Sequence, residues 1–300
     1  MSHHIPTPSQ PIMYYDGSHL VQETNHSWKS LYFLYHSRTG HILQKLFCTR
    51  WAAKIVAYYL KSRLSRRHIQ PFIKKYHLIM GNYVVPAGGY TSFNDFFIRK
   101  LKPWARTIDS SPNRVISPVD GKLYTIQNIA SDSIFYIKQQ QFNLEKFLDS
   151  PQLASQFIGG TMMVFRLAPY DYHRIHFPVD GIPGQTKVIH GAFASVNPMA
   201  ILAGAAPFFH NERHLVMIET QQWGSVAMLC VGALMVGSIV HTHQAGQLYR
   251  KGDECGYFAF GGSTVVLLFK SNTIQPIEHF TEHSLQGFET AVKMGVVVTQ

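Results

Sequence analysis

From about Ile116 onward the chain is written in short β-branched and aromatic runs, at 133–137, 162–167, 215–219, 226–231 and 264–269, separated by Gly, Pro, Asp and Asn turns. Runs of five or six residues are too short for core helices and suit strands joined by turns, which predicts a β-rich, antiparallel body. Upstream the period changes. Between residues 27 and 80, Leu43, Leu46, Phe47, Ile55, Tyr58, Tyr59 and Leu64 recur at mixed three and four spacings with basic residues between them. That is the pattern of amphipathic helices, and Gly40 and Pro71 divide it into two or three. Phe93, Phe96 and Phe97 predict one more short helix over 92–99. The expectation is an α+β protein: a helical, basic N-terminal region over residues 1–110, then a β-rich catalytic body over 111–300.

Hydrophobic residues make up 46% of the 300 and charged residues 15%, enough apolar material for a substantial core. The longest near-apolar run, 226–240, is 15 residues and is broken by Gly232, Gly237 and Ser238, so no spanning helix is expected. The first ten residues lack the charged start and apolar stretch of a secretory signal. Cys48, Cys230 and Cys255 are odd in number and without C-x-x-C spacing, which argues for a reducing compartment rather than a disulfide framework.

The net charge of +10 is concentrated. No acidic residue falls between Glu23 and Asp95, whereas eleven Lys and Arg do; +10 − 11 leaves the remainder of the chain at −1. A basic amphipathic zone is a solvated face, a nucleic-acid surface or a lipid-facing surface. Trp51, Tyr58, Tyr59, Leu60 and Leu64, interleaved with the cations, suit a membrane interface at least as well as the other two.

Three polar clusters are held among apolar or turn residues: Ser117-Pro118-Val119-Asp120-Gly121, Tyr172-His173-Arg174-Ile175-His176-Phe177-Pro178, and Phe260-Gly261-Gly262-Ser263-Thr264-Val265-Val266. Singly, each has an ordinary reading: a turn, a pair of structural histidines, a bulge feeding a strand. His173 and His176 could also join His241 and His243 around a metal, but no carboxylate or cysteine stands near them in sequence, and no metal is expected. Together the clusters supply an acid, a base and a hydroxyl, the set that activates a serine oxygen. Two glycines before Ser263 let the backbone adopt angles that offer the Gly262 carbonyl to its neighbour's hydroxyl. The G-x-S-x-G of a serine hydrolase is absent there.

These stretches resemble the phosphatidylserine decarboxylase family. The likeness also covers Ser92-Phe93-Asn94-Asp95-Phe96-Phe97-Ile98-Arg99-Lys100-Leu101-Lys102-Pro103, Arg166 to His176, Ser195-Val196-Asn197-Pro198, Asn211-Glu212-Arg213, Val236-Gly237-Ser238-Ile239 and Lys251-Gly252-Asp253-Glu254, in order, as far as Phe269. The resemblance implies Asp120, His176 and Ser263 as a self-cleavage triad and His173 as the histidine assisting decarboxylation. It implies cleavage between Gly262 and Ser263 into a β-chain of residues 1–262 and an α-chain of 263–300 that remain together as a heterodimer, further dimerisation being open. Ser263 would become a pyruvoyl cofactor, whose ketone takes up the electrons left when CO2 departs. The partners so implied are phosphatidylserine and an anionic membrane surface, not nucleic acid, with the protein peripheral on the cytoplasmic face. A pyruvoyl decarboxylase of a soluble amino acid, a non-processing lipid-binding homologue and, more distantly, a serine peptidase are the alternatives.

Overall fold

The computed structural model describes residues 12–23, 33, 37, 39–40, 50–130, 143–191, 211–232, 238–261 and 263–300. The predicted strand at 133–137, the helical zone before residue 50, the motifs Ser195 to Pro198 and Val236-Gly237, and Gly262 lie outside the described residues.

Strand β12 (Ser263–Phe269) is central to the body, paired antiparallel with β4 (Thr161–Leu167) on one side and β9 (Gly224–Gly232) on the other. All seven of its residues are buried. Alternation explains why: Val265, Leu267 and Phe269 enter one core and Val266 and Leu268 another, so both faces are covered and the strand reads as an unbroken apolar run. Among the described residues the sheet has ten strands, extending from β4 through β3 (Gly121–Gln127) and β13 (Glu289–Val292), and from β9 through β8 (Arg213–Thr220) to the short edge strands β6 (Ile182–Pro183) and β7 (Lys187–Ile189). One face is packed by the short helices α4 (Leu144–Leu148) and α5 (Pro151–Ser155). The other meets a three-stranded sheet of β10 (Ile239–His241), β11 (Glu254–Phe258) and β5 (Arg174–His176), together with α6 (Glu278–Leu285).

The N-terminal region holds α1 (Arg50–Lys61), a 3-10 turn over Arg63–His68, α2 (Ile69–Lys75) and α3 (Phe93–Phe97). Helix α3 starts where it does because Ser92 Oγ accepts from the Asp95 N–H at 3.1 Å while the Asp95 carboxylate accepts from the Thr91 N–H at 2.8 Å. Its Phe93, Phe96 and Phe97 form a small core with Leu60, Ile69 and Tyr90, against which Phe260 of the body packs. Fully burying each ring contributes roughly 1.5–3 kcal/mol, which fastens the helical region beside the segment leading to Ser263.

One N-terminal element was not anticipated. Strands β1 (Met13–Asp16) and β2 (His19–Gln22) form a hairpin, with Gly17 at φ 60° in its two-residue turn, and β1 runs parallel to β13 at the end of the large sheet. Four-residue strands of mixed exposure carry little periodic signal. Their anchor is electrostatic: Glu23, just past β2, meets Arg166 of β4 at 2.9 Å, and Arg166 also meets Glu289 of β13 at 2.6 Å.

Candidate active site

Ser263 opens β12 and is fully buried. Its Oγ lies 3.2 Å from Nδ1 of His173, the residue before β5. His173 Nε2 lies 3.1 Å from the Ala168 carbonyl, which can only accept, so the ring proton sits on Nε2 and the Nδ1 lone pair faces the serine hydroxyl. Burial drives the His173 pKa down to about 3, against the opposing pull of Asp171, so the ring is neutral at ordinary pH. Phe97 of α3 stacks on it with ring centroids 4.0 Å apart and planes 24° from parallel. The preceding Gly261 sits at φ 142°, where a side chain would be strained.

The turn that supplies the Ala168 carbonyl is itself fixed. Asp171 accepts from the Ala168 N–H at 2.7 Å and from Lys122 Nζ at 3.2 Å. Lys122 is in turn 3.7 Å from Glu23, so the charge cluster that anchors the N-terminal hairpin also supports the His173 turn. Arg99, past the end of α3, donates to the carbonyls of Tyr170 and Asp171 at 3.0 and 3.1 Å.

His176 and Asp120 stand elsewhere. His176 Nδ1 donates to the Gly252 carbonyl at 2.7 Å, which leaves Nε2 to accept from the Tyr172 hydroxyl at 3.0 Å. Asp120 pairs with Arg106 at 2.6 Å and accepts from the Met294 N–H at 2.8 Å. Burial lowers the His176 pKa, and the charge of Asp120 reaches it only as a minor opposing influence. Both His176 and Tyr172 line a cavity of about 250 Å³ together with Lys100, Lys102, Arg106 and Glu254. Of the four residues expected to act together, the fold therefore brings Ser263 and His173 into contact, sets His176 in the lining of the cavity, and places Asp120 against Arg106 of that lining.

Phe97, Arg99, Arg106 and Tyr172 carry supporting roles that motif reading did not assign, although all four lie within or beside the stretches singled out by it. The backbone acceptors Ala168 and Gly252 leave no mark in side-chain identity.

A buried serine oxygen facing the lone pair of a neutral imidazole is the arrangement that suits chemistry on the chain's own backbone, as in a self-processing proenzyme. Comparison with known proteins agrees. The family profile described as phosphatidylserine decarboxylase matches residues 93–298. Relatives named phosphatidylserine decarboxylase proenzyme include those of Chlamydia pneumoniae, 41% identical with 89% of each chain covered, Chlamydia muridarum, 41% identical with 88% of each covered, and Fusobacterium nucleatum, 37% identical with 89% of each covered. The chain belongs to the phosphatidylserine decarboxylase family, a family of carboxy-lyases. Among solved structures, glucose permease IIA from Mycoplasma capricolum aligns at 16% identity and a TM-score of 0.30, covering 62% of this chain and 93% of that one, a likeness too loose to inform the fold.

Proposed function

We propose that the chain converts phosphatidylserine to phosphatidylethanolamine and CO2 after cutting itself between Gly262 and Ser263. The observation that carries this reading is the 3.2 Å contact between Ser263 Oγ and the unprotonated nitrogen of His173. His173 takes the hydroxyl proton as Oγ attacks the Gly262 carbonyl carbon, and the peptide C–N bond gives way to an ester. Loss of the Ser263 α-proton then expels the Gly262 carboxylate and leaves a dehydroalanine. Its imine tautomer takes up one water and releases ammonia, so the α-chain begins with a pyruvoyl group.

Ser263 suits that product. It is held in a buried strand between Leu167 and Gly232, so the new chain end keeps its place after the cut. When formed, the group supplies an electron sink for the bond to CO2. The α-chain contributes both β12, between β4 and β9, and β13, between β1 and β3, which supports a stable heterodimer of the two pieces. Around the cavity, Lys100, Lys102 and Arg106 match a phosphodiester and a carboxylate, and the proton transfer of turnover is assigned to His176, which lines the same cavity. On this proposal His173, His176 and Ser263 are the catalytic residues, and Asp120 is a positioning residue that fixes Arg106.

A second reading gives cleavage to Asp120 and His176 and decarboxylation to His173. The influence of the Asp120 charge on His176 favours it, and it requires His176 to leave Tyr172 and turn to Ser263.

Residues 1–110 form the membrane-facing part on this reading, apart from the β1–β2 hairpin, and 111–300 the catalytic body. Ile55, Tyr58, Leu64, Ile79 and Trp104 are 70–83% exposed, an unusual number of large apolar side chains, and they stand among the exposed Lys61, Arg63, Arg66, Arg67, Lys74 and Lys75. No helix among the described residues is long and apolar enough to cross a membrane. The combination supports peripheral attachment to anionic lipid on the cytoplasmic face.

Intact mass spectrometry of the purified wild type and Ser263→Ala tests the core of the proposal. The wild type yields a 38-residue C-terminal fragment (263 to 300 inclusive) that resists Edman degradation, and the variant stays whole. A wild type that stays whole, or a variant that is cut, refutes self-cleavage at this bond.

A further inference from the structure

Decarboxylation leaves one titratable cluster unused. His241 ends β10, His243 follows two residues later, and Cys255 is the second residue of the adjoining β11. Sequence alone separated this cysteine from the histidines by a dozen residues; the hairpin closes the gap. Its ladder pairs His241 with Gly256, and the Thr242 N–H donates to the Cys255 carbonyl at 3.0 Å. One donor atom from each of His241, His243 and Cys255 lies within 4.8 Å of the other two.

We propose that His241, His243 and Cys255 form a structural site for a thiophilic divalent cation, with Zn2+ the best match. Two ligands bound tetrahedrally at about 2.0 Å from nitrogen and 2.3 Å from sulfur stand roughly 3.5 Å apart. His243 Nδ1 and Cys255 Sγ are already 3.3 Å apart; the same nitrogen lies 3.0 Å from the Cys255 carbonyl, so ligation exchanges that contact for the metal and places the ring proton on Nε2. His241 is arranged as metal-bound imidazoles are: one nitrogen, Nε2, lies 2.9 Å from His214 Nδ1, while the other, Nδ1, is buried with no hydrogen-bond partner among the described residues. A ligand nitrogen left open while the opposite N–H is spent on a neighbour is the usual outer-sphere pattern. His214 is backed by Glu212, 3.8 Å from its Nε2. Two imidazoles with a thiolate select Zn2+ over Mg2+ or Ca2+, which take oxygen ligands.

The neighbouring groups fit this reading. Burial and the two adjacent imidazoles lower the His241 pKa to about 4, which keeps the ring neutral, and burial pushes the Cys255 thiol well up. Binding therefore displaces the thiol proton to solvent as the S–metal bond forms. His241 and His243 are part-exposed, which leaves a path for the ion, and solvent completes the fourth position. The ion fastens the two ends of the 242–253 loop, whose Gly252 carbonyl orients His176.

The test is titration of the full-length, metal-stripped protein with Co2+. One equivalent produces tetrahedral visible bands and a near-ultraviolet sulfur-to-cobalt charge-transfer band, both removed by Zn2+. Cys255→Ser loses the sulfur band, whereas Cys230→Ser keeps it. Calorimetry of Zn2+ binding in two buffers of different ionisation enthalpy shows about one proton released per ion. Histidines elsewhere, such as His3 and His4, bind cobalt without a sulfur band. A wild type lacking that band overturns the site whatever the variants do, and so does a folded Cys255→Ser that retains it.

Discussion

Replacing Lys122 with methionine tests whether the buried charge cluster supports the serine site. Methionine keeps most of the stem and removes the ammonium, whose side chain is only 4% exposed. Asp171 and Glu23, at 3.2 and 3.7 Å, are then left without that cation. Burial by itself would raise the Asp171 pKa; Lys122 and the Ala168 N–H overcome it and hold the carboxyl below its usual range. Removing one partner of such a buried pair costs about 3–5 kcal/mol, because the remaining charge has no water to turn to. Unfolding a chain of 300 residues carries an entropy of roughly 0.6 kcal/mol per kelvin, so the melting temperature falls by about 5–8 °C. Thermal unfolding followed by circular dichroism measures this, with both proteins carrying Ser263→Ala so that neither is cut. In the wild-type background Lys122→Met also slows self-cleavage, since Asp171 holds the Ala168 turn that fixes the His173 tautomer. A melting shift below about 1 °C, with unchanged cleavage, refutes the idea that this cluster organises the site.

His173→Gln slows appearance of the 38-residue fragment by roughly 10²–10⁴ while His176→Gln leaves it within a few-fold and depresses turnover of the cleaved enzyme instead; gel time courses that give the reverse order establish the second reading. His173, His176 and His241 all have pKa values lowered in the fold, so the unfolded chain binds more protons below its own histidine pKa of about 6.5. Their contribution is complete above that pH and is lost as pH falls from there towards about 4, each group adding at most about 1.4 kcal/mol per pH unit; a melting temperature flat between pH 7 and 4 contradicts this. Ile55→Ser with Ile79→Ser weakens co-sedimentation with phosphatidylserine vesicles by about tenfold or more per site, since each side chain returns roughly 1.5 kcal/mol of transfer energy; undiminished binding by the pair removes these residues from the lipid surface.

The strands with a dense β-branched pattern were legible: β4, β8, β9 and β12 fall on the runs at 162–167, 215–219, 226–231 and 264–269. So was α3, where Ser92 caps and three phenylalanines mark the buried side. Strands of two to four residues, such as β1, β2, β5 and β10, were not, because a segment that short holds one period or less and is fixed by its partners. The serine and both histidines could be named from motifs. Which imidazole faces Ser263 could not, since His173 just precedes β5 and His176 ends it, and each ring is oriented by the carbonyl, Ala168 or Gly252, that it finds. Cys255 escaped notice as a partner of His243 for the same reason: hairpin pairing, not spacing, joins them.

On the proposed division of labour the two histidines face different kinetic demands, and their surroundings differ. An imidazole with a pKa near 3 is a poor base at neutral pH, short of a well-matched one by about four pH units, or on the order of 5 kcal/mol if the proton is fully transferred. A step that must recur with every substrate molecule would suffer from that handicap. Self-cleavage runs once in the life of each chain, and there burial brings a compensating advantage: Ser263, His173 and the Phe97 ring are all fully buried, with the imidazole stacked on the ring and facing the serine hydroxyl. Proton delivery during turnover needs a ring that substrate can approach. His176, lining the cationic cavity and hydrogen-bonded to Tyr172, occupies such a place. On the proposed reading, contact with the cavity separates the residue that works repeatedly from the residue that works once.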